Sequence, residues 1–166
     1  MNEEEYIRKD RMRFTKNSLA STLAIVSIVF DVLYFLNIYS SDINNNVGNF
    51  YYQIRIGASI ILNLLFMLAA FLSSEGIKNY KSEYGYVMII LGIIQVVRIF
   101  ILPMQAHAAE VTVGGVTSKV MGNAQFITVI IYLALSAIAM FAGAYIGIKR
   151  SKELEAHMAS LKKAAA

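Results

Sequence analysis

Four apolar blocks divide the chain, Leu19 to Tyr39, Ile56 to Leu72, Tyr86 to Leu102 and Phe126 to Ile148, with polar or glycine-bearing segments between them. Each is near the ~17 to 25 helical residues needed to cross a hydrocarbon core about 30 Å thick, the second and third at the short end. The pattern predicts an all-α integral membrane protein, a bundle of four transmembrane helices at about 19–39, 56–72, 86–102 and 126–148. A basic leader over 1–18 and a helical tail over 149–166 flank this domain. The first block reads as a span and not as a signal peptide, because it exceeds the ~7 to 15 apolar residues of such a region and no small-x-small cleavage site follows.

Lys and Arg positions predict the orientation. Five precede the first block, two (Lys78 and Lys81) lie between the second and third, and five follow the fourth. Only Arg55 and Lys119 flank the opposite side. That asymmetry puts both termini and the middle loop in the cytoplasm. Glu4 with Arg8, Glu5 with Lys9, and Lys9 with Arg13 are spaced to share a face of a leader helix, which reads either as solvated or as resting on the headgroup layer through Tyr6, Ile7, Met12 and Phe14. Leu154, Met158 and Leu161 recur at i, i+4 and i+7, so the fourth helix either continues into the tail or bends along the interface, and His157 reads as a solvated helix residue.

The segment Ser73 to Gly85 reads as a polar loop, with Gly76 and Gly85 stopping and restarting helices. Gly114-Gly115 between two short alternating runs signals a small β-hairpin. Tyr80, Tyr84 and Tyr86 fit one interfacial belt, and Tyr39, Phe50, Tyr51 and Tyr52 the other. Pro103, the single proline, ends the third span.

Polar residues inside the blocks change the picture. Asp31, Asn63, Gln95, Arg98 and Ser136 fall within roughly 5 Å of one another along the membrane normal, counting 1.5 Å per residue from the span ends. A charge at a helix centre costs ~2.5 to 3.5 kcal/mol on insertion scales, so Asp31 and Arg98 are expected to pair. Ser27 and Tyr34 share a side with Asp31, Gly92 and Gln95 with Arg98, and Ser59 with Asn63. Such a cluster serves either to fix the helix arrangement, to couple an ion, or to meet another membrane subunit. On the fourth block Ser136, Ala139, Gly143 and Gly147 form a small-residue seam with a GxxxG spacing that admits close backbone approach.

Composition narrows the function. The chain has 57% hydrophobic and 16% charged residues, no cysteine and a formal charge of +4. Lack of cysteine removes disulfides, thiolate catalysis and cysteine metal sites. The basic balance reads as attraction to anionic lipid headgroups and not to nucleic acid. The segment Asn44 to Asn49 contains no Asn-x-Ser/Thr acceptor, and a bacterial inner membrane, hence a plasma membrane, is the default location. No GxSxG, HExxH or Walker spacing occurs, and neither His107 nor His157 lies in a span, so no catalytic residue, haem, metal or other cofactor is expected. His107 with Glu110 falls short of a metal constellation. The expected function is a non-enzymatic accessory or assembly subunit of a larger membrane complex, with transport machinery as its host. The alternative is a small homo-oligomeric ion or solute transporter using Asp31 and Arg98. Its partners are then another membrane subunit or further copies of the chain.

Overall fold

The computed structural model describes residues 3–42, 50–101, 103–108, 110–113, 116–119 and 121–165. The segment 44–49 and the Gly114-Gly115 turn lie outside the described residues, as do the side chains of Tyr39, Phe50, Tyr51, Tyr52, Arg55 and Lys119. In chain order the elements are α1 (Glu3–Arg11), α2 (Ser18–Asp42), α3 (Phe50–Lys78), α4 (Ser82–Ile101), α5 (Pro103–Ala108), β1 (Glu110–Val113), β2 (Val116–Lys119) and α6 (Asn123–Ala165). Helices α2, α3, α4 and α6 are each long and apolar enough to cross a membrane. Their outward faces are apolar too. Leu62, Ile90, Phe100 and Ile138 are each more than half exposed, which suits a lipid solvent and not water. The protein is a multi-pass helical bundle of the membrane type.

The helices run longer than the apolar blocks, because a helix continues after its hydropathy falls. Helix α3 covers 29 residues against the 17 of the second apolar block. The expected loop at 73–85 shrinks to a tight turn at 79–81, where Tyr80 has a positive φ of 58°. Ser73 and Ser74 are buried helical residues. Ser73 Oγ donates to the Ala69 carbonyl at 2.7 Å, and Ser74 Oγ lies 2.8 Å from Ser21 Oγ on α2. Gly76 and Gly85 also belong to helices, where a Cβ would strike the Tyr84 ring and the Ile148 side chain respectively. They admit close packing instead of breaking the chain.

Pro103 stands at the first position of α5, where its missing N–H costs nothing. β1 and β2 then pair antiparallel, Glu110 opposite Lys119 and Val113 opposite Val116, as the Gly-Gly signal predicts. This hairpin is the one departure from helix among the described elements.

Around the bundle the order is α2, α3, α4, α6: α6 packs along α2 and α4, while α3 closes the ring opposite and scarcely meets α6. Two apolar layers stack along the axis. One contains Ala20, Ala24, Phe66, Ala70, Met88, Leu91, Met140 and Ala144. The other contains Tyr34, Ile38, Met121, Val129 and Leu133. The glycines of the small-residue seam lie against the first layer: a Cβ on Gly143 would meet the Met88 methyl group and sit 3.2 Å from both the Ala20 carbonyl oxygen and Leu23 Cβ. Gly147 faces Ile77 in the same way, and Ala139 is buried.

Candidate functional site in the polar layer

Between the two apolar layers lies a polar one, drawn from all four spanning helices. Each contributor stands one or two helical turns from an apolar anchor on its own helix: Ser27 and Asp31 between Ala24 and Tyr34, Asn63 before Phe66, Gln95 after Leu91, Ser136 between Leu133 and Met140. Packing of the anchors fixes helix rotation and turns the polar side chains inward.

Arg98 is the hub. Its Nη1 donates to Asp31 Oδ1 at 2.8 Å and to Gln95 Oε1 at 2.9 Å, while Nη2 donates to Asn63 Oδ1. Gln95 Nε2 donates to Asp31 Oδ1 at 3.0 Å and to Ser136 Oγ at 2.8 Å. Ser136 Oγ in turn donates to the Ser27 carbonyl at 3.1 Å and lies 2.7 Å from Ser27 Oγ, which makes the Ser27 hydroxyl the donor in that second bond. The guanidinium carbon sits 4.7 Å from the Tyr34 ring centroid and 5.5 Å from that of Phe66, a cation–π environment made by two rings.

All five residues singled out from depth alone are therefore in one connected network. Asp31, Gln95 and Ser136 are fully buried and Asn63 is 1% exposed, whereas the Arg98 side chain keeps 16% exposure. Asp31 Oδ2 and Asn63 Nδ2 have no hydrogen-bond partner among the described residues. Chemically the layer is a charge-neutral lattice of amides, hydroxyls and one ion pair. With a single carboxylate it offers too few anionic ligands for a divalent cation, and no cluster of three His, Asp or Glu occurs among the described residues.

Depth reasoning missed three further polar contacts. Ser27 was placed on the right face but not in a bond to Ser136. Ser21 with Ser74 links α2 directly to α3, nearer the helix ends. Asn17 is buried at the start of α2, where its N–H donates to the Lys78 carbonyl at 2.9 Å and its Oδ1 accepts from Arg150 Nη1 at 3.2 Å. The signal for Asn17 was its position as a helix N-cap.

Outside the spans, α1 folds back on the projecting part of α6. Arg8 reaches Glu153 at 3.6 Å, and Lys9 pairs with Glu5 at 2.7 Å. His157 is a correction to the solvated reading: it is 4% exposed, meets the Tyr6 ring edge-on at 5.2 Å, and its Nε2 lies 3.5 Å from Asp10 Oδ1. Burial follows from α1, which a reading of α6 alone does not include. The bond from Arg13, helped by His157, holds the Asp10 carboxyl below the usual range, and Lys9 does the same for Glu5. At the opposite end His107 stacks on Phe126 at 4.3 Å, and its Nδ1 is 3.3 Å from the Met121 carbonyl oxygen. Comparison with family models, with curated proteins and with solved structures finds no match to this chain.

Proposed function

We propose that this chain is a non-enzymatic multi-pass subunit of a larger plasma-membrane complex, in which the polar layer fixes the helix arrangement. The observation that carries this reading is the mutual engagement of Asp31, Asn63, Gln95, Arg98, Ser136 and Ser27 across four helices, with Asp31 fully buried. A coupling site in a transporter needs a carboxylate that a cation can reach from an aqueous path. Here the carboxylate is enclosed between two apolar layers.

Both termini and the 79–81 turn belong to the cytoplasmic side in this reading, following the Lys and Arg distribution. Helix α6 supports a partner role: its 43 residues span roughly 65 Å at 1.5 Å each, about twice the hydrocarbon thickness. The excess, braced by α1, offers a rigid cytoplasmic surface, and its basic residues suit anionic headgroups beside it.

Charge exchange tests the reading. The Asp31→Arg/Arg98→Asp double variant is expected to recover the membrane level and complex assembly that either single change loses. Recovery of folding together with loss of a transport activity of the purified wild-type protein would overturn it in favour of the transporter.

A further inference from the structure

Helices α3 and α4 border a cleft of about 530 Å³ on the lipid-facing side. Its walls are almost wholly apolar, with Leu62, Phe66, Leu91, Ile94 and Ile101 prominent, and its polar part consists of Ser59, Asn63 and Arg98. We propose that this cleft is a binding site for a lipid-soluble molecule that carries a neutral carbonyl-type acceptor.

Three observations select that class. Volume is the first: 530 Å³ lies within the ~300 to 1,000 Å³ of small-molecule sites, whereas a partner helix about 10 Å wide crossing the hydrocarbon core occupies on the order of 2,400 Å³. The lining on α3 runs from Ala58 to Ala69, roughly 16 Å of helix, so the occupant reaches across about half the hydrocarbon layer. Charge is the second. The Arg98 cation is matched by Asp31 at 2.8 Å, so the site carries no net charge to reward an anion. Donor supply is the third. Asn63 is 1% exposed, forms part of the cavity lining, and its Nδ2 has no partner among the described residues. An amide donor in hydrocarbon gains from any acceptor brought to it, because water is not there to compete. Arg98, with its partial exposure, adds guanidinium N–H donors from the same side. A plain hydrocarbon chain fills the volume and leaves these donors unanswered. A carbonyl-bearing lipophile answers them.

The chain contains no tryptophan, so one introduced residue becomes a clean optical reporter. Ile101→Trp places it at the cleft, and Tyr145→Trp places it on an exposed position of α6 away from the cleft. In nanodiscs, 2-decyl-1,4-benzoquinone serves as the probe, since a quinone quenches nearby tryptophan. The expected result is saturable quenching at the cleft reporter and only linear, partition-type quenching at the α6 reporter. Asn63→Leu removes the amide donors, and loss of about one hydrogen bond weakens probe binding about fivefold. Because Asn63 also accepts from Arg98, Ala58→Phe is the second variant: it fills the cleft from an exposed position, touches no member of the network, and should abolish saturation. Equal linear quenching at both reporters overturns the proposal, as does saturable quenching that neither variant alters. Crosslinking from Leu62 in native membranes to another polypeptide would also overturn it, in favour of protein docking.

Discussion

Replacing Arg98 by Met keeps a long flexible apolar side chain and removes the charge, which makes it a direct probe of the polar layer. Three hydrogen bonds disappear, to Asp31, Gln95 and Asn63, together with the contacts over Tyr34 and Phe66. Side-chain hydrogen bonds between membrane helices average about 0.6 kcal/mol, so three account for roughly 2 kcal/mol. The larger effect is that Asp31, fully buried, loses its cation. Breaking one half of a buried pair costs ~3 to 5 kcal/mol, a large share of a total stability of about 5 to 15 kcal/mol. Asp31→Asn added to Arg98→Met removes the orphaned charge and leaves an amide that can bond Gln95. That double variant should lose only ~1 to 2 kcal/mol, which makes it about 2 to 3 kcal/mol more stable than the Arg98→Met single. Reversible unfolding in mixed micelles, followed by far-ultraviolet circular dichroism across a range of sodium dodecyl sulfate fractions, measures all four proteins of the cycle. A single Arg98→Met change within about 0.5 kcal/mol of wild type, or a double variant no more stable than that single, would refute the argument that the pair holds the bundle.

Ser136→Ala deletes the links to Gln95 and Ser27 and should cost roughly 1 to 2 kcal/mol in the same unfolding assay. Gly143→Leu drives a side chain into Met88, Leu23 and the Ala20 carbonyl, so a loss of ~1 to 3 kcal/mol and a lower melting temperature are expected. Acidification should release α1 from α6. The Asp10 carboxyl is held below its ordinary value of 3.8 by Arg13 first and by His157 after it, so its contribution is fully present above 3.8 and is lost as the pH falls through the lower folded-state value. Spin labels at Tyr6 and Ser160 should therefore separate below about pH 4 but not between pH 5 and 7. Since the chain has no cysteine, single cysteines at Ser160 and Ser118 report orientation, and an impermeant maleimide applied outside intact cells should label only the second.

Much of the bundle was legible because charge in lipid is costly. Asp31 and Arg98 stood out against their apolar neighbours, and counting turns brought Asn63, Gln95 and Ser136 to the same depth before any contact was known. Helix rotation, which depth does not give, came from the apolar anchors, and it is rotation that joined Ser27 to Ser136. Serine was the least legible residue. Ser73 and Ser74 looked like loop, yet each finds an acceptor in or beside the helix, and that satisfaction is invisible in a hydropathy profile. His157 and Asn17 eluded the sequence for another reason. Their burial depends on α1 and α3 arriving from far along the chain, and the cleft likewise takes its walls from two helices, α3 and α4.

Native mass spectrometry of the tagged chain, extracted gently from its own host, tests the subunit reading most directly. A foreign membrane protein at fixed stoichiometry is the predicted result. Homo-oligomers alone, at every extraction condition that preserves the fold, would contradict it.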